Sequence, residues 1–410
     1  MVMKQTQTKL FDFSDVGLDF CAGSKNLFPD RFKKMLSLGY NEQTVSSVAV
    51  AGNQVIFTYG GSHGYVADRV LKVDSGALSS INGGEFWIDS VTTNTVTFTL
   101  DSALSSVAGN FKTRIAPLGW SLEYEVSNIH VYKFRALDES DLFLRLCFQT
   151  NTFHRNAVAA CIGKSYNAAN GDITDLYAHT ATKNVTDVNG NFLKWEYSLY
   201  SGSGYNNWTY NEGFNTFGKA SLVGSKYHLI NMIHLAANGS ASSALINGFL
   251  PTHCYDYSQL KLPILFAYTS SSTGGDFGWN HQPLATFRPC IGNIVCKFLN
   301  ESGLSNMGAL APNAIDTYLP SHIESFNTTT AHPIHIHEQS TGQFLGCVLG
   351  IYRLNVGINN LLSPLYNQAP LSTYDIDVEN ICLIHNLGFG STQESAAHFV
   401  APVEEIKIVS

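Results

Sequence analysis

The chain has 410 residues, of which 44% are hydrophobic and only 14% charged, and its net charge is −8. That length allows two or three domains with sizeable cores, while the charge content falls well below the roughly one quarter usual in soluble proteins. The negative balance, with no basic run anywhere, excludes nucleic acid as a main partner, and no apolar run approaches the roughly 18 residues that would span a bilayer.

Residues 1–24 read as an extended arm ending in a loop, with Phe11-Asp12-Phe13 and Gly17-Leu18-Asp19-Phe20 as docking anchors. The polar start, Met1 to Gln7, lacks the apolar stretch of a secretory signal, so the chain is expected to be made and kept in a cytoplasm. One helix follows: Pro29 suits a first turn, Asp30 complements the dipole, and Phe28, Phe32, Met35 and Leu36 share one face until Gly39 stops it. The segment 44–117 is a compact β module. Val55–Tyr59 and Arg69–Val73 read as strands around Gly60-Gly61-Ser62-His63-Gly64. In Thr95–Leu100, Val96, Phe98 and Leu100 alternate with threonines, the period of a strand with one buried face. Thr92-Thr93-Asn94 links it to Phe86–Val91 as a hairpin loop, and Asn82-Gly83 supplies a turn just before.

Pro117-Leu118-Gly119-Trp120 marks a boundary. Beyond it, Leu122–Phe134 and Leu142–Phe148 read as strands around the acidic turn Asp138–Asp141, and a hairpin at Asp187–Asn191 leads into Phe192–Tyr197. Tyr227–Leu235, Leu262–Tyr268, Ile381–Ile384 and Val403–Val409 are further strands. Helical periodicity is weak through the second half, so 118–410 is read as one large β-rich, sandwich-like body after the 1–43 arm and helix. The eight cysteines are scattered without a CxxC pair and read as small buried apolar residues. The polar surface must come from Ser, Thr, Asn, Gly and 19 tyrosines, a composition suited to protein–protein contact.

Taken in order, certain segments resemble a group of virion structural proteins of tailed bacteriophages, of the tail or baseplate type. They are Ala22-Gly23-Ser24, Leu36–Tyr40, Gly60–Tyr65, the Asn82-Gly83 turn, Thr95–Thr99, Ala116–Trp120 and Leu142–Leu146. The match covers roughly the first 150 residues; where the group follows the last strand with an acidic pair, this chain has Cys147-Phe148-Gln149-Thr150. The resemblance implies a mainly β, non-enzymatic virion subunit, assembled in the host cytoplasm, with 44–117 as a small Ig-like module. It implies copies of itself and other tail proteins as partners, in a ring or collar of the tail, baseplate or neck. The alternative is a receptor- or glycan-binding protein at the tail tip.

The sharpest local cluster is His332-Pro333-Ile334-His335-Ile336-His337-Glu338. On a strand His335 and His337 project from the same face, and imidazoles suit Zn²⁺ or Fe²⁺. Two ligands do not close a site, but three copies about a symmetry axis would supply six nitrogens, a use of His-x-His that the resemblance brings with it from phage spike tips. The bland alternative is an exposed strand whose histidines meet a neighbouring subunit. Tyr205–Asn211, with Tyr205, Trp208 and Tyr210, reads as a docking loop or, less favoured, a platform for host-surface glycans; Trp279 in Gly274–Trp279 is read the same way. Asp375-Ile376-Asp377 with Glu379 lacks the spacing of a calcium loop. No G-x-S-x-G, Walker A or H-E-x-x-H pattern occurs, and the glycines at 60, 61 and 64 join strands, so no catalytic residues and no bound cofactor are expected.

Overall fold

The computed structural model describes residues 6–75, 84–102, 111–234, 244–254, 260–270, 287–298, 331–354, 370–374, 380–388 and 396–406. Over these residues the chain is mainly β, in three antiparallel sheets with short helices. The seven-stranded sheet is built from strands between Tyr40 and Ile115, in the spatial order Glu85–Trp87, Val70–Ser75, Phe111–Ile115, Tyr40–Ala51, Gln54–Tyr59, Thr95–Thr99, Ser90–Val91. The hairpin around Thr92-Thr93-Asn94 is present, with Val91 opposite Val96. The alternation in Thr95–Thr99 buries Val96 and Phe98. The sheet curls until Phe86, near one edge, stacks on Phe98, near the other, with centroids 4.8 Å apart. The Asn82-Gly83 turn lies outside the described residues.

A six-stranded sheet runs Tyr268–Ser270, Phe192–Glu196, Ala157–Gly163, Asp141–Phe148, Ile129–Arg135, Ser121–Val126. The stretch 122–134, read as one strand, is two: Ser127 takes φ +57° and turns the chain into a hairpin. Phe192–Glu196 is a strand as expected, but its partners are Ala157–Gly163 and Tyr268–Ser270. Asp187–Asn191 is thus a turn, held by the Asn189 N–H donating to Asp187 Oδ1 at 3.0 Å, and joins no local hairpin.

The largest sheet begins with Lys9–Asp12 on Ala220–Gly224, then Leu229–His234 and Ala244–Leu250. It continues through Ile294–Phe298, Ala331–Glu338, Phe344–Leu354, Ala396–Pro402 and Ile381–Gly388. It bends back on itself: Ala244 pairs with Gly388, and His385 Nε2 lies 3.1 Å from both the Ile233 and Leu245 carbonyls. Its Phe249 meets Phe134 of the six-stranded sheet at 4.6 Å, with Trp120 beside both. Among the described residues the last strand is Ala396–Pro402; the strand expected near Val403–Val409 falls partly outside them, since they end at residue 406.

Helix α1, Phe28–Lys33, runs into a wider turn, Lys34–Leu38, that closes at Gly39. Phe28, Phe32, Met35 and Leu36 are all fully buried, as the shared face requires. The N-terminal arm, by contrast, is no free docking element over residues 6–24. Phe11, Phe13 and Phe20 are fully buried, and Phe13, Phe20 and Phe28 pack ring on ring. Apolar rings of that size bury where a partner surface exists, and the chain's own Ala220–Gly224 strand supplies it. All eight cysteines are free; Cys254 and Cys347 are half-buried and the rest buried.

Candidate functional site

Helix α2, Tyr210–Phe217, was not foreseen, and it organises the aromatic surface that contains Tyr205, Trp208 and Tyr210. Thr209 and Glu212 form a reciprocal cap: the Thr209 N–H donates to Glu212 Oε2 at 2.7 Å and the Glu212 N–H to Thr209 Oγ1 at 3.4 Å. These contacts hold the Glu212 carboxyl below its usual range. The T-x-x-E spacing was legible in the sequence as a helix start; the Asn/Gly-rich context masked it.

Tyr205 and Trp208 meet edge to face at 4.9 Å, and both lean on Phe217, at 5.3 and 6.4 Å. Tyr210 lies against Phe214 at 5.5 Å. Tyr200, Tyr205, Trp208, Tyr210 and Phe214 are half-buried, so this is a braced surface and not a loose loop. The bracing comes from residues 23–26, where the N-terminal arm runs on toward α1. Asn26 Nδ2 donates to Asn207 Oδ1 at 3.0 Å, the Asn26 N–H donates to the Asn206 carbonyl at 3.0 Å, and Ser24 Oγ donates to the Trp208 carbonyl. Gly23 permits the approach: a Cβ there would stand 2.4 Å from the Phe217 ring and 3.0 Å from Tyr205 Cβ. Lys25 lies beneath, its ammonium donating to the His154 and Gly202 carbonyls at 2.6 and 3.2 Å; burial pushes its pKa down to about 8. The outward rim carries Asn207, Asn211 and Asn215, all exposed. Trp279 lies outside the described residues.

His335 and His337 sit on the strand Ala331–Glu338, whose Ile334 and Ile336 point into the core. His335 is exposed and His337 half-buried, so the alternation is as expected. Both rings contact Phe344, at 5.9 and 5.3 Å. Burial, then the neighbouring His335 and Lys297, lower the His337 pKa. Among the described residues no three His, Cys, Asp or Glu side chains converge on one point. The Asp375–Glu379 carboxylates lie outside the described residues.

Sequence reading gave no hint of a cleft of about 290 Å³ between the Ala136–Leu142 turn and residues 251–254 and 260–263, with Asp138, Tyr227, Thr252 and Lys261 in its wall. Its lining comes from separate stretches of chain, so no local pattern marks it.

No family model matches the chain, and no curated protein matches it. Among solved structures it is similar to the phage phi92 endosialidase, at 8% identity and a TM-score of 0.16, over 90% of this chain and 52% of that one. The chain thus spans about half the length of that structure, and a likeness at this TM-score carries no argument for fold or activity.

Proposed function

We propose that this chain is a non-enzymatic structural subunit of a tailed-phage virion, assembling with copies of itself and with other tail proteins into a ring or collar of the tail, baseplate or neck. The observation that carries the reading is the braced aromatic surface around α2, where half-exposed Tyr200, Tyr205, Trp208, Tyr210 and Phe214 stand among uncharged asparagines. Preorganised aromatics bury large area at little entropic cost, which is the chemistry of interface anchors. The serial order of turn and strand motifs in the first 150 residues supports the virion assignment, and 44–117 is proposed as a unit of its own within the subunit.

The mass of the purified protein, by light scattering after size exclusion, tests it. A discrete trimer, hexamer or dodecamer is expected; a monomer at every accessible concentration overturns the self-assembly. A second reading, recognition of host-surface glycan at a tail tip, is favoured by one feature: exposed Asn207, Asn211 and Asn215 border the same rings. Amides beside ring faces can read sugar hydroxyls while the rings stack. A monomer that binds host oligosaccharides, and loses binding with Trp208→Ala, would establish that reading instead.

A further inference from the structure

We propose that copies of this chain join head to tail, Phe153 of one copy seating in the cleft beside the Ala136–Leu142 turn of the next; this rests on the self-assembly proposed for the subunit. Phe153 is 68% exposed. A single exposed ring is ordinary on a protein surface, but this one is held in place. The Asn151 N–H donates to Gln149 Oε1 at 2.9 Å, the Phe153 N–H to Asn151 Oδ1 at 3.0 Å, and Asn206 Nδ2 to the Thr152 carbonyl at 3.3 Å. The last of these bonds ties the loop to the aromatic surface at α2. A ring fixed before contact loses little freedom on binding.

The cleft suits such a ring. Leu137, Leu142, Leu260 and Leu262 line it with Pro251 and Pro263. Its volume of about 290 Å³ lies at the foot of the roughly 300–1,000 Å³ range of small-molecule clefts. The two charged side chains in its wall, Asp138 and Lys261, are of opposite sign, and residues 149–153 and 203–211 carry no charge. Two copies of a chain with a net charge of −8 thus meet here without setting like charges face to face, which would oppose association. Position agrees. The turn precedes the strand Asp141–Phe148 and the Phe153 loop follows it, so ring and cleft stand at opposite ends of a strand about 25 Å long, at about 3.3 Å per residue. A knob and a hole at opposite ends of one subunit make a heterologous contact, the kind that closes into rings. One aromatic side chain buries about 150–250 Å², short of the roughly 1,600 Å² of a stable interface; the α2 rings, at the Phe153 end, supply further area.

Light scattering on the full chain and its variants tests the pairing. Phe153→Ser removes the ring and Thr252→Trp fills the cleft, with Lys261→Trp as a second plug should Thr252→Trp misfold; far-ultraviolet dichroism verifies folding. At a concentration where the parent is oligomeric, each variant alone is expected to be a monomer. An equimolar mixture of Phe153→Ser and the plugged variant is expected to give dimers and nothing larger, since one intact ring and one intact cleft remain. Alkylation of Cys254, in the cleft wall, is expected to be slower in the parent oligomer than in Phe153→Ser. A parent-like oligomer in Phe153→Ser overturns the pairing while leaving self-assembly standing, as does a mixture that stays monomeric or a Cys254 that reacts equally fast in both. A parent that is itself a monomer overturns both.

Discussion

Asp15 joins the N-terminal arm to the seven-stranded sheet. Arg69 donates to it in parallel, Nε to Oδ2 at 2.8 Å and Nη2 to Oδ1 at 2.9 Å, and the Tyr40 hydroxyl donates to Oδ2 at 2.7 Å. All three side chains are buried. Burial, and then the Asp15 charge, push the Tyr40 pKa well up, so the hydroxyl stays a donor. Asp15→Ala would leave the Arg69 charge buried without its partner and should destabilise the fold by about 3–5 kcal/mol, read as a lower urea midpoint. Histidines set the pH response. Burial pushes His130 down to about 4, His228 to about 3 and His234 to about 4; Glu125, 3.7 Å from His130, pulls the other way but less strongly. In the unfolded chain these rings protonate near pH 6.5, while the folded protein keeps them neutral. Stability is therefore full above about pH 7 and falls as pH drops toward 4, by up to roughly 1.4 kcal/mol per pH unit for each ring. Urea unfolding at pH 7.5, 6.5 and 5.5 should show that slope, and His234→Gln should flatten it; stability that rises on acidification would refute the assignment.

At the scale of elements, α2 depends on its cap. It has two turns, and a helix so short is marginal without a cap and a packing surface. Thr209→Ala should cost about 1 kcal/mol and speed amide exchange over 210–217 while the six-stranded sheet stays protected. The strand Ser121–Val126 shows the opposite arrangement, an element built to refuse partners. It ends its sheet among the described residues, with a register shift opposite Val131/Tyr132. Its Glu123 and Glu125 project beside it, paired with Lys133 at 3.5 Å and Lys33 at 2.6 Å. Bulges and edge charges are standard protection against strand addition, so strand addition at this edge is disfavoured.

Across the whole molecule, residues distant in sequence are tied together. Lys9–Asp12 pairs with Ala220–Gly224, and Thr8 Oγ1 donates to the Glu404 carbonyl at 2.6 Å. The Phe13, Phe20, Phe28 and Phe32 stack continues into Phe148 and Tyr197, so arm, helix and six-stranded sheet share one core. The aromatic surface is carried on that core, which makes its contacts testable without unfolding the body. Trp208→Ala should move the light-scattering mass from oligomer toward monomer at equal concentration, with the melting temperature changed by only a few degrees. An unchanged mass would remove Trp208 from the contact.

What was legible in the sequence was local. The mainly β class, the Val55–Tyr59 and Thr95–Thr99 strands, the Thr92–Asn94 link and the buried face of α1 follow from periodicity and turn chemistry within a few residues. The cap of α2 was equally local, in Thr209 and Glu212, but lay hidden among asparagines and glycines. Other features belong to register. Which strand accepts Phe192–Glu196, and why Phe11 and Phe13 are core and not anchors for a partner, depend on pairings across tens to hundreds of residues. A strand's alternation states that it has two faces. Only its neighbours in the folded sheet decide what each face meets, because a one-residue slip in pairing exchanges them.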